Sequence, residues 1–151
     1  MMNSEKDQLP TEGDFCDPQT ENLDERHARA TFLGKTSAQA EQMFRENFLY
    51  YQEALLYMRG TAFRYYVIPA IRYLLSDGAD GDSSAASSFC TVLTFKLQYA
   101  PADMAPVRTV LLAAVREILH GFHRYDCTEY IYGDVAARYR ALAAQLESLP
   151  Q

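Results

Sequence analysis

From about Thr36 to Leu149 the apolar residues recur at every third or fourth position. Nowhere do they alternate over strand length with turn residues at both ends. Steps of three and four stack side chains on one face of a 3.6-residue helix, so the spacing restricts this stretch to helices packed through one side. Phe44, Phe48, Tyr51, Leu55 and Met58 mark the first helix. It opens on Thr36-Ser37-Ala38-Gln39, a capping box in which a hydroxyl and an amide serve free backbone donors, and it stops before Gly60. Phe63, Val67, Ala70, Ile71 and Leu74 mark a second, from about Thr61 to Ser76, with Pro69 predicting a kink or a weakened turn near Tyr65. A third runs from Asp82 or Ser83 to about Tyr99 and is ended by Pro101. A fourth, capped by Asp103 with Pro106 in its first turn, carries Val107, Val110, Leu111, Ala114, Val115, Ile118 and Phe122. Residues 128–132 read as a short extended connector. A fifth helix then opens at Gly133-Asp134, with Val135, Tyr139, Leu142, Leu146 and Leu149 inward. The predicted fold is all-α: a single-domain antiparallel bundle of about five helices with little or no sheet.

The first 30 residues break this pattern. They hold eight acids and three bases, a net −5 of the chain's −6, together with Pro10, Gly13 and Pro18. The expectation is an acidic, mobile tail over 1–30, disordered in isolation or strapped loosely over a helical domain at 31–151. The length of 151 residues suits one domain, and 48% apolar residues suffice for a core. The acidic balance argues against a nucleic-acid footprint and against a polybasic membrane patch. The amino terminus has no apolar signal segment. The longest nearly apolar window, Val110 to Leu119, contains Arg116 and Glu117 and falls far short of the ~20 residues a membrane span needs. Three cysteines without a C-x-x-C motif fit a reducing compartment, and the expected location is the cytoplasm.

Motifs that carry chemistry are missing. There is no G-x-S-x-G, Walker loop, H-E-x-x-H or Rossmann glycine run, so no cofactor and no catalytic residue is assigned. His120 and His123, with Asp126 nearby, fall roughly opposite the apolar stripe of their helix and beside Arg116, where a solvated polar face explains them better than a metal. Asp77, Asp80 and Asp82 do not fit a calcium loop and read as turn and cap residues. No metal site is predicted.

The most unusual feature is the tyrosine content of the first helical hairpin. Tyr50, Tyr51 and Tyr57 lie on its first helix, and Tyr65, Tyr66 and Tyr73 on its second, with Glu53, Arg59, Arg64 and Arg72 interspersed. Aromatic stripes at helical spacing usually pack a core edge, yet Tyr and Arg are also the residues most often found at binding hot spots. The candidate binding residues are Glu53, Arg64, Tyr65, Tyr66, Arg72 and Tyr73.

The stretch Tyr51-Gln52-Glu53-Ala54-Leu55-Leu56-Tyr57-Met58, followed by Ala62-Phe63-Arg64-Tyr65-Tyr66-Val67-Ile68-Pro69-Ala70 and Tyr73-Leu74-Leu75-Ser76, resembles a pattern in small uncharacterised bacterial proteins. That pattern joins a Y-x-E-x-L-x-x-M helix to an A-F-x-Y-Y-x-x-A helix and covers about a quarter of the chain. The resemblance supplies no activity. The expected function is a non-catalytic protein-interaction module, of which an immunity-type role is one form, offering the Tyr/Arg surface of the first two helices to a basic protein partner. The alternative is a small-molecule binder or enzyme with a pocket between those helices, where Glu53, Arg64 or Tyr66 would converge.

Overall fold

The computed structural model describes residues 9–150. Among them there is no strand, and six helices reach ten residues or more: α1 (Leu23–Phe32), α2 (Ser37–Tyr51), α4 (Gly60–Leu74), α5 (Ser83–Tyr99), α7 (Arg108–His120) and α9 (Val135–Ser148). Short helices α3 (Glu53–Tyr57), α6 (Pro101–Met104) and α8 (Glu129–Tyr132) lie between them. The all-helical, single-domain expectation holds, and the count of five is too low. One long helix, α1, begins in the stretch assigned to the tail and runs past its boundary, and the expected extended connector at 128–132 is the helical turn α8.

Caps set most of the boundaries that the sequence marks. Thr36 accepts from the Gln39 amide at 3.1 Å and Gln39 returns to the Thr36 amide at 2.8 Å, the predicted box. Asp82 and Asp134 accept from the amides of Ala85 and Ala137 and start α5 and α9. Asp103 departs from expectation. It starts no helix, because its carboxylate accepts instead from the Gly60 amide at 2.9 Å and from Lys96. The first long helix is also divided. Asn47 leaves helical geometry (φ −160°, ψ 79°), and Gln52 separates α2 from α3.

The long helices pack in pairs, α2 on α4 and α7 on α9, with α9 also against α5 and α1 against α3. Phe32, Phe44, Phe63, Phe89, Leu55, Met58, Leu74 and Leu93 are fully buried in one continuous core. Each contributes about 1.5–3 kcal/mol by leaving water. The boundary drawn at residue 30 falls inside α1. Phe15, Ala28 and Phe32 are buried, and the Phe32 ring lies 5.6 Å from that of Phe44 and 5.0 Å from that of Tyr66. An Asn22–Glu25 capping box opens α1. Of the six described acids of this stretch, three are ion-paired. Arg29 meets Glu21 at 2.7 Å and Glu12 at 3.2 Å, and Arg59 meets the buried Glu25 at 3.0 Å. The first eight residues lie outside the described part.

Four buried phenols bond across elements rather than outward. The Tyr66 hydroxyl lies 2.8 Å and 2.7 Å from the carbonyl oxygens of Phe32 and Lys35. Tyr73 donates to Asp82 at 2.5 Å, Tyr125 to the Leu74 carbonyl at 2.7 Å, and Tyr139 to the Ala86 carbonyl at 2.5 Å. Burial pushes all four above the ordinary phenol value of 10.0. A raised folded-state pKa means that the unfolded chain loses its protons first as pH climbs. The stability these groups supply is therefore complete below pH 10 and drains away above it. An alkaline titration followed at once by tyrosinate absorbance and circular dichroism should show four phenols ionising together with cooperative loss of helix. Smooth ionisation with the helix intact would contradict their burial.

Candidate functional site

The six residues chosen from the sequence do not form one surface. Tyr66 is fully buried and Tyr73 is 4% exposed, both with engaged hydroxyls. Tyr65 is half-buried, and its hydroxyl accepts from the Ser37 amide at 3.0 Å. Arg72 is exposed and reaches the Ser37 hydroxyl at 2.9 Å, while Arg64 bonds Thr61 one turn back at 3.3 Å. These contacts tie Tyr65 and Arg72 to the start of α2. Glu53 stands apart on α3, exposed, and faces a groove against α5. The expected pocket between the first two helices is filled by rings: Phe44 lies 5.4 Å from Phe48, and Phe48 5.6 Å from Tyr73. Glu53, Arg64 and Tyr66 do not converge, so the six-residue Tyr/Arg surface is corrected to two outward arginines, a half-buried Tyr65 and a remote Glu53.

The open concavity lies along α5 instead. Two hollows, of about 500 Å³ and 620 Å³, share Leu56 and Phe95 in their walls and so adjoin. The first is walled by Leu49, Gln52, Glu53, Val92 and Tyr132, and by a row of hydroxyls at Ser84, Ser87, Ser88 and Thr91. Those four positions step by three, one and three along α5, a helix face that is polar and uncharged. The second hollow contains Glu25, Tyr57, Arg59, Lys96, Tyr99 and Asp103. Large apolar groups stand in the open along the two: Leu49 on the first is 55% exposed, Phe95 on both 46% and Tyr99 on the second 67%, with the Phe95 and Tyr99 rings 4.9 Å apart.

Charge is distributed unequally between the two hollows. In the second, every acid and base named is paired: Glu25 with Arg59 at 3.0 Å, and Lys96 with Asp103 at 3.1 Å. Lys96 is 3% exposed, also donates to the Met58 carbonyl, and sits 4.6 Å from the centre of the Phe63 ring. Burial holds its pKa below the ordinary lysine value, with Asp103 pulling the other way. In the first hollow Glu53 makes no ion pair among the described residues. The Gln52 side-chain oxygen is buried without a hydrogen-bond partner, a state that costs roughly 1–3 kcal/mol unless a donor arrives. Arg138 donates to the Thr91 hydroxyl on this wall at 2.6 Å.

Nucleophilic chemistry finds no support in the cysteines. Burial and the hydrogen bond to Glu21 push Cys16 up to about 11, and burial raises Cys90 and Cys127 as well. Among the described residues no group of three or more His, Cys, Asp or Glu side chains is placed to hold a metal, and no helix is long and apolar enough to cross a membrane. Asp80 is taken by Arg124 at 2.7 Å and Asp82 by Tyr73, so the acidic loop is spent on structure.

Sequence reasoning missed the groove. Its signal was present in the spacing of Ser84, Ser87, Ser88 and Thr91 ahead of Phe95, an uncharged polar face running into exposed aromatics. No family model, curated protein or solved structure matches this chain. The motif resemblance drawn from the sequence also departs by one residue, since Pro69 stands where that pattern ends on alanine.

Proposed function

We propose that this chain is a non-catalytic protein-interaction module, within the class of small acidic bacterial cytoplasmic proteins that the motif resemblance and the immunity analogy suggest. Its recognition surface is the groove along α5. The observation that carries the reading is the exposure of Leu49, Phe95 and Tyr99 along two adjoining hollows, the first of which holds the unpaired carboxylate of Glu53. Apolar groups of this size left in water mark places where a partner removes them from it. The fitting occupant is a basic, amphipathic segment of another protein: its apolar side covers the aromatic row, and its cations meet Glu53 and the net charge of −6. The Tyr/Arg face of α2 and α4 is a weaker surface, because Tyr66 and Tyr73 are inside and Arg72 already holds Ser37. A small-molecule pocket between those helices is not retained, since rings occupy the space.

Selection of displayed random peptides on the folded protein tests this. The selected sequences should combine aromatic or aliphatic residues with lysine or arginine, and should shift the backbone amide resonances of α3 and of 84–99. Phe95→Asp should weaken their binding about tenfold or more while leaving the helix signal intact. Binders that map to α7 and α9, or that show no basic bias, would overturn the assignment.

A further inference from the structure

The second hollow presents donors without acceptors. Its two acids are spent within the chain: Glu25 accepts from the Asn22 amide at 2.9 Å and pairs with Arg59 at 3.0 Å, and Asp103 accepts from the Gly60 amide at 2.9 Å and pairs with Lys96 at 3.1 Å. Asn22 and Arg59, which also line this hollow, keep donors unspent. The Arg59 side chain is 67% exposed, its ion pair to Glu25 runs through a single nitrogen, and its other guanidinium nitrogens meet no acceptor among the described residues. Asn22 is exposed, its side-chain oxygen caps α1 at the Glu25 amide, and its side-chain nitrogen has no partner among the described residues. A buried carboxylate thus anchors an exposed guanidinium. Phe95 and Tyr99 border the same hollow with their rings in the open. An anchored guanidinium fork and a carboxamide donor beside exposed rings match a carboxylate carried next to an apolar side chain.

We infer that the second hollow receives an acidic side chain of the partner segment, its carboxylate taken by Arg59 and Asn22 and the adjacent apolar residue laid on Phe95 and Tyr99. The inference rests on the groove being the recognition surface, and it adds that a segment basic overall carries one acid. Arg59 and Lys96 offset Glu25 and Asp103, so the incoming carboxylate enters a hollow without net negative charge. A cation placed there would face Arg59 and find both acids occupied. The first hollow has the opposite character, with Glu53 unpaired, so the two ends together fix the direction in which the segment lies.

The test uses the selected peptides with amidated carboxyl termini, so that side chains supply their only carboxylates. Each aspartate or glutamate is exchanged in turn for asparagine or glutamine, and binding is measured to the unaltered chain, to Arg59→Lys and to Asn22→Asp. Asn22→Asp keeps an oxygen that caps α1 and sets a carboxylate where the donor stood, so its unfolding midpoint should stay close to that of the unaltered chain. At one acidic position the exchange should weaken binding to the unaltered chain about tenfold. It should weaken binding to Arg59→Lys distinctly less, and on Asn22→Asp it should cost nothing or improve binding, since that protein repels the acid. Selected peptides without an acidic residue, equal weakening on all three proteins, or no weakening at any acidic position overturns the carboxylate assignment. If such peptides still shift the resonances of α3 and of 84–99, the wider reading survives that failure. If no peptide binds the groove, both fall.

Discussion

Lys96→Ala should lower the unfolding free energy by about 3 kcal/mol, the lower end of what removing one partner of a buried ion pair costs, because Asp103 retains some contact with water. Lys96 joins the turn between α3 and α4, 38 residues away at Met58, to α6. It donates to the Met58 carbonyl, pairs with Asp103, and lies over Phe63, while Asp103 in turn accepts from the Gly60 amide. Gly60 sits at φ +49°, a conformation glycine tolerates and other residues resist, so the turn from α3 into α4 depends on this outside support. Without the ammonium, the Met58 carbonyl and one carboxylate oxygen lose their donor. Lys96→Met, which keeps most of the stem, should cost clearly less than Lys96→Ala, because it leaves a smaller cavity. Urea unfolding of the three proteins measures both differences. An unchanged midpoint for Lys96→Ala would show that the contact is not formed.

Phe32→Ala should cost about 3–5 kcal/mol, as large as any single truncation in the core. Its ring is fully buried against Phe44, Tyr51 and Tyr66, and its own backbone carbonyl accepts from the Tyr66 hydroxyl. For a domain with an ordinary stability of about 5–15 kcal/mol, that loss takes a large part of the total. The same substitution distinguishes two descriptions of the segment before α2. If the chain before α2 were only strapped over an independent domain, the midpoint would hardly move. With α1 as part of the core, it falls and the transition stays cooperative.

These two residues also show how far the sequence could be read. Helices whose apolar stripe is long were legible: α4 and α9 follow their three-and-four spacing, α7 follows it at Leu111, Ala114, Val115 and Ile118 but leaves Val110 45% exposed, and Thr36, Asp82 and Asp134 cap where their side chains suggest. α1 escaped because its buried face is small and partly polar. Glu25, Ala28 and Phe32 face inward, while Leu23 is 76% exposed. Acidic residues dominated the reading of that stretch, although the Asn22–Glu25 box was there to be seen. Lys96 was illegible for a different reason. Its burial depends on partners from the turn after α3, from α4 and from α6, which no local pattern reports. The neighbours Tyr65 and Tyr66 differ by one position on the helix and by most of their exposure, so a tyrosine count could not say which phenols face water. The groove itself arises where α3 meets α5, a contact that periodicity along either helix alone does not encode.

The comparison of two surfaces tests the central claim most directly. Titration of one selected peptide by calorimetry, against the unaltered chain, Phe95→Asp and Arg72→Ala, measures which face carries binding. The groove account predicts that Phe95→Asp weakens the peptide about tenfold or more and that Arg72→Ala leaves its affinity unchanged. Loss of binding in Arg72→Ala with full binding in Phe95→Asp would contradict it and return recognition to the face formed by α2 and α4.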